Sequence, residues 1–213
     1  MFKAIIFDFG RVISAQKTAQ LFHSYESDLG LEEGTINQIM FDSPLWEQAL
    51  LGEISMSAYW QGIGSALNLH SSAAITSFKK HYYEDERINM DVLSLLRKLY
   101  GRYKLAILSN HPAGLLDWLV AWKIAELFEV IVCSGDEGVV KPDPRAYEIT
   151  LQRLDVEPPQ AIFIDDTPGH VEAAEALGIS GIVFTDVSTL HRRLSMLIGD
   201  QGDGNVISRP TVS

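Results

Sequence analysis

Five short apolar runs punctuate the chain: Ala4 to Phe7, Leu105 to Leu108, Val130 to Cys133, Ala161 to Ile164 and Gly181 to Phe184. None alternates cleanly between apolar and polar residues, and each ends in turn residues. Each is therefore predicted to be a strand buried on both faces. Helical patterns separate the last four runs. Leu115, Trp118, Leu119 and Trp122 recur at helical spacing. Pro144 stands where a helix would start, ahead of Tyr147, Ile149, Leu151 and Leu154. Val171, Ala174 and Leu177 form a third helical face, closed by Gly178. Strand alternating with helix predicts parallel βαβ units, hence an α/β fold with a doubly wound parallel sheet.

The stretch from Ser14 to Glu86 differs, because it contains no good strand run. Its helical patterns are broken at Gly30, Gly34, Ser43-Pro44, Gly52 and Gly62-Ile63-Gly64. It is predicted to be an all-helical insert spanning residues 14–86, with the sheet built from residues 1–13 and 87–198. Phe41, Trp46, Tyr59 and Trp60 either line a substrate pocket or form the insert's own core. Residues 199–213 are polar and Gly-containing, and a flexible tail is expected there.

Composition narrows the classes of partner. The 213 residues include 17 basic and 28 acidic ones, a formal net charge of −11, with 46% hydrophobic and 21% charged residues. So acidic a chain, with no Lys/Arg cluster, argues against nucleic acid and anionic membranes as partners. No apolar run approaches the roughly 18 residues of a membrane span. The opening MFKAIIFDFG is too short and too early interrupted by charge to read as a signal peptide. The single cysteine, Cys133, excludes an internal disulfide and is expected to be a buried core residue. A reducing cytoplasm is the expected compartment. Nothing in the sequence sets an oligomeric state.

Chemistry-bearing residues follow the apolar runs. Asp8 follows the first run, Ser109 and Asn110 the second, and Asp165 and Asp166 the fourth; Lys141 lies a few residues past the third. Ligands of open α/β sheets bind at that strand edge. Taken singly, each residue reads as a turn, a helix cap or a solvated lysine. Taken together, they gather three carboxylates, a hydroxyl, an amide and an ammonium around one crevice. That set suits phosphoryl transfer. A carboxylate can attack phosphorus and form an acyl phosphate that water hydrolyses. Attack of anion on anion needs neutralisation, which Mg²⁺ held by carboxylates and a lysine would supply. A hydroxyl and backbone N–H groups would hold the other phosphate oxygens.

In this order the residues resemble the haloacid dehalogenase superfamily. The motifs that carry the resemblance are Phe-Asp-Phe-Gly-Arg-Val-Ile, Leu-Ser-Asn, Val-Val-Lys-Pro-Asp-Pro and Phe-Ile-Asp-Asp-Thr-Pro-Gly-His, spread between Phe2 and Phe184. The resemblance implies a Rossmann-like parallel sheet core with helices on both faces, and a helical cap in place of the insert. It also implies roles: Asp8 as nucleophile and metal ligand, the Gly10 carbonyl as second protein ligand, and Asp166 as main carboxylate ligand with Asp165 beside it. Ser109 and Asn110 would bind phosphate, and Lys141 would neutralise charge. The implied activity is Mg²⁺-dependent hydrolysis of a small phosphorylated metabolite, with a sugar phosphate as the family-level guess.

Two positions depart from the usual pattern. The general acid expected two residues after the nucleophile is Gly10, and a further motif-four acid is replaced by His170. The first departure, with the segment from Ser43 to Ser55, is similar to a subgroup with Asp-x-Gly-x-Val as first motif. That subgroup includes bacterial glucose-1-phosphate phosphatase and the N-terminal domain of soluble epoxide hydrolase. His111 is either a surrogate acid or a polar residue at a helix start. Two other functions compete: a metal-independent 2-haloacid dehalogenase, which needs no general acid, and a non-catalytic binding protein on the same scaffold.

Overall fold

The computed structural model describes residues 1–199. Five parallel strands form one sheet: β1 (Ala4–Phe7), β2 (Lys104–Ser109), β3 (Val130–Cys133), β4 (Ala161–Asp165) and β5 (Ser180–Val183). Their spatial order is β3-β2-β1-β4-β5. The chain thus leaves β1 to build one half of the sheet and returns to build the other. The crevice at the C-terminal ends of β1 and its neighbours is where such a reversal leaves room for ligands.

Burial on both faces explains the unbroken apolar runs. Successive side chains of a strand point to opposite faces. Ile5, Phe7, Leu105, Ile107, Ile162 and Ile164 enter one core, while Ala4, Ile6, Ala106, Leu108, Ala161 and Phe163 enter another. The first core is covered by α6 (Met90–Leu99), α7 (Leu115–Ala121) and α11 (Val187–Ile198), the second by α9 (Pro144–Leu154) and α10 (Pro168–Ala176). A one-turn helix, α8 (Ser134–Glu137), follows β3. Cys133 is buried, as its apolar run suggests.

Three strands differ from the sequence expectation at their ends, and β2 also starts one residue earlier, with Lys104 paired to Ala4. β2 and β4 run one residue further, through Ser109 and Asp165, because those residues still pair with Cys133 and Val183. β5 starts and ends one residue earlier than expected, Ile162 pairing with Ser180. Helices α6 and α11 were not singled out from the sequence. Their apolar spacing (Val92, Leu93, Leu96 and Leu99; Leu190 and Leu194) is nonetheless helical. The expected tail lies, from residue 200 onward, outside the described residues.

Between β1 and α6 the chain forms α1 (Ala19–Leu29), α2 (Thr35–Phe41), α3 (Pro44–Leu50), α4 (Met56–Gly64) and α5 (Ser72–Glu84). Thr18, Ser43, Ser55 and Ser71 cap four of them, each accepting a hydrogen bond from a first-turn N–H. Tyr25, Ile36, Met40, Tyr59, Trp60 and Phe78 gather in a third apolar cluster among these helices. The break expected at Gly62-Ile63-Gly64 is where α4 ends. These residues form its last turn, where a Cβ on Gly62 would meet Leu45 Cδ1 at 2.5 Å and one on Gly64 would meet Ile75 Cδ1 at 2.7 Å. The glycines let neighbouring helices approach.

Candidate active site

Asp8 terminates β1, and its backbone N–H donates to the Ile164 carbonyl at 2.8 Å, fixing it against β4. The chain then makes a wide turn over Phe9–Ile13, closed by Ser14 N–H on the Phe9 carbonyl at 2.8 Å. Gly10 has ordinary extended torsions, φ −65° and ψ 128°. The strained residue is Arg11, at φ 58°, a conformation that costs a non-glycine residue roughly 1–2 kcal/mol. That turn aims the Arg11 guanidinium at Asp166, Nε to Oδ2 at 2.8 Å. In the sequence Arg11 is indistinguishable from a solvated arginine; only this tertiary contact marks it.

Lys141 is almost completely buried and joins two carboxylates. Its Nζ lies 2.6 Å from Asp8 Oδ1 and 2.5 Å from Asp165 Oδ2. Asp165 is further held by the Thr167 N–H at 2.8 Å and by His170 Nδ1 at 3.1 Å. A carboxylate can only accept here once ionised, so Nδ1 of His170 carries the proton. One ammonium cannot neutralise two buried carboxylates, and the pair shift in opposite directions. Burial pushes the Asp8 carboxyl up to about 6; Lys141 opposes this and the charge of Asp165 adds to it. Burial also works against charge on Asp165, but the hydrogen bonds and charges of His170 and Lys141 outweigh it and hold it at about 2. Asp165 is the stronger acid of the pair and ionises before Asp8 as pH rises.

Asn110 positions the lysine. Its Oδ1 accepts from the Lys141 N–H at 2.7 Å, and its Nδ2 donates to the Lys141 carbonyl at 2.8 Å. What remains for a ligand is one Nδ2 hydrogen and the backbone. Ser109 is buried at the end of β2 and lines the same cavity. His111 donates its N–H to Ser134 Oγ at 3.0 Å, and its Nδ1 lies 2.7 Å from the Pro112 carbonyl. A carbonyl only accepts, so Nδ1 must carry the proton and neutral Nε2 is an acceptor. Burial lowers the His111 pKa, disfavouring the charged ring that an acid would need.

All the residues singled out from the sequence line one cavity: Asp8, Gly10, Ser109, Asn110, Lys141, Asp165 and Asp166, with His111 and His170. Ligand oxygens of Asp8, Asp165 and Asp166 lie within 4.8 Å of one another, close enough for one metal ion. Phe41, Trp46, Tyr59 and Trp60 satisfy both readings offered for them, since they pack in or against the insert's cluster and also line the cavity.

The chain is similar to known proteins in sequence and in fold. Residues 51–184 match the family model of haloacid dehalogenase-like hydrolases. A sesquiterpene phosphatase of Aspergillus oryzae is 31% identical, over 93% of this chain and 97% of its own length. The bifunctional epoxide hydrolase 2 of Sus scrofa is 24% identical over 93% of this chain, which spans only 39% of that protein. Among solved structures, a haloacid dehalogenase-family enzyme of Bacteroides thetaiotaomicron shares the fold. That protein, a variant in complex with magnesium and inorganic phosphate, aligns with a TM-score of 0.72 at 20% identity, covering 89% of this chain and 99% of its own.

Proposed function

Because this chain belongs to the haloacid dehalogenase-like hydrolases, we propose that it is a Mg²⁺-dependent phosphomonoesterase of small phosphorylated metabolites, with Asp8 as nucleophile. The observation that carries this is the cluster of three carboxylates, Asp8, Asp165 and Asp166, two of which, Asp8 and Asp165, share the buried Lys141. Adding a phosphate to that cluster raises the negative charge beyond what Lys141 and Arg11 offset. An all-oxygen donor set suits a hard divalent cation. Asp8, Asp166 and the Gly10 carbonyl would hold Mg²⁺, with Asp165 beside them, and the bound ion would supply positive charge to the phosphate oxygens and the nucleophile. Phosphatase relatives and the magnesium and phosphate of the solved family member support the same assignment.

Each residue then has a task. An Asp8 oxygen attacks phosphorus as the ester P–O bond breaks, giving an aspartyl phosphate and an alkoxide. Lys141 spreads the charge of the reacting group, and Asn110 keeps its backbone in register. The Ser109 hydroxyl and nearby backbone N–H groups take the non-reacting phosphate oxygens. Gly10 offers the alkoxide no proton, so water supplies it. A second water attacks phosphorus as the bond from phosphorus to the Asp8 oxygen breaks, its proton passing to the hydroxide left by the first, so that inorganic phosphate leaves and the Asp8 carboxylate is restored. Under the dehalogenase alternative, a carboxylate substrate would meet three clustered carboxylates, which like charge disfavours.

The test is turnover of a generic aryl phosphate with Mg²⁺ and with EDTA. Activity is expected only with the metal, and Asp8→Asn should reduce it by more than roughly 10³-fold, the scale of losing a nucleophile. A folded Asp8→Asn protein of near-native rate would overturn the covalent route. EDTA-insensitive release of halide from a 2-haloacid would overturn the whole reading.

A further inference from the structure

The cavity extends well beyond the carboxylates. Its volume is about 900 Å³, at the upper end of the range for small-molecule sites. The helical insert and α7 contribute a second wall in which Phe41, Trp46, Tyr59, Trp60, Tyr82 and Trp118 all take part. These rings touch one another. Phe41 meets Trp46 at 5.2 Å between centroids, Trp46 meets Tyr59 at 5.4 Å, and Tyr59 meets Trp60 at 5.7 Å. Trp118 joins the series through Tyr83 at 5.3 Å.

The polar atoms of this wall decide what it can hold. The Tyr59 hydroxyl donates to the Met40 carbonyl at 2.6 Å, and Trp60 Nε1 donates to the Tyr83 hydroxyl at 2.9 Å. Both donors are engaged within the insert and offered to no ligand. Lys17 is ion-paired with Glu86, its ammonium 4.4 Å from the centre of the Tyr82 ring. Lys79 lies 5.6 Å from that of Tyr83. Gln16 and Asn37, which also line the cavity, are at solvent-exposed positions. A sugar carries a hydroxyl on nearly every carbon, and a lining made mostly of aromatic carbon replaces only part of the hydrogen bonds those hydroxyls lose on leaving water. A hydrocarbon loses none and gains by leaving water.

We propose that this cavity receives the phosphate ester of an extended apolar alcohol, its phosphate at Asp8 and its hydrocarbon among the aromatic rings of the insert. This rests on the phosphomonoesterase reading and departs from the sugar phosphate suggested by the family resemblance.

The test is a binding series that does not require turnover. Phosphonates from butyl to dodecyl are titrated against the whole protein in Mg²⁺. Intrinsic fluorescence reports occupancy, since three of the four tryptophans, Trp46, Trp60 and Trp118, line the cavity. Affinity should rise by up to about fourfold per methylene until the space is filled. The phosphonate analogue of a hexose phosphate should bind at least about 100-fold more weakly than the octyl compound. A flat series, or equal binding of the sugar analogue, overturns the proposal. Aryl phosphate turnover measured alongside separates the two ideas. Turnover with a flat series removes only the apolar substrate, whereas a rising series without turnover upholds the apolar cavity and removes the phosphatase reading. Phe41→Gln, at a half-buried position, should weaken dodecyl binding by about tenfold and butyl binding by less than about twofold. An equal loss for both overturns the placement of the chain against the insert.

Discussion

The side-chain amide of Asn110 grips the backbone of Lys141 through two reciprocal hydrogen bonds, at 2.7 and 2.8 Å. The residues are 31 positions apart, and the clasp links the end of β2 to the loop after β3. Asn110 therefore acts through the lysine as a positioning residue. Asn110→Ala should lower kcat by about 10²-fold, the scale of a misplacement near 1 Å. It should also cost about 1–3 kcal/mol of stability by leaving backbone groups unpaired. Steady-state kinetics and denaturant unfolding measure the two effects; an unchanged kcat would show that Lys141 holds its place unaided.

The adjacent carboxylates should separate by role. Asp165 is fully buried with three partners, so Asp165→Asn should lower stability by about 1–3 kcal/mol. Asp166 is partly exposed and faces Arg11, a pair whose loss is worth no more than about 1 kcal/mol. Asp166→Asn should instead raise the Mg²⁺ concentration needed for activity by at least about tenfold. Melting curves without metal and Mg²⁺ titrations of activity test both; reversed effects would exchange the assignments.

Asp8 makes the metal-free protein pH-dependent. Its carboxyl rises from the usual 3.8 to about 6 on folding, so the folded chain binds the proton more tightly than the unfolded one. The stabilisation from a protonated Asp8 is fully present below about pH 4 and is lost as pH rises towards about 6. A bound cation favours the ionised form and offsets the loss. The gain in melting temperature on adding Mg²⁺ should thus grow between about pH 4 and pH 6 and level off above. Asp8→Asn should flatten that profile. A gain independent of pH in the unmodified protein would mean that Asp8 does not bind the metal.

Gly10 can accept a side chain. Its φ is −65°, and a Cβ there would find its nearest neighbour, Asp8 Oδ2, at an ordinary 3.7 Å. Gly10→Asp should supply the missing acid and raise alkyl phosphate turnover more than aryl, where the leaving group needs no proton. A positioned acid is worth about 10²–10⁴-fold. In the unmodified protein, rates plotted against leaving-group pKa should fall steeply. A flat plot would mean that another group donates, with His111 and His170 lining the cavity as the first to substitute.

The sequence by itself determined the sheet and the edge at which the polar residues gather. Both follow from local pattern: runs such as Ala4 to Phe7 and Ala161 to Ile164 are apolar throughout because both faces are buried, and a polar residue at a strand end is carried to one edge by strand direction alone. Helices α6 and α11 carry apolar residues at helical spacing too, but they are not among the predicted elements. What only the tertiary structure decided is which groups touch. Lys141 and Asp8 are 133 residues apart, so no local spacing could reveal that one ammonium bridges Asp8 and Asp165, that Arg11 turns to Asp166, or that Asn110 holds a backbone. The aromatics of the insert show the same limit. Their apolar character is a property of sequence, but whether a ring faces a core or a cavity depends on how α2, α3, α4 and α5 pack against one another and over the sheet.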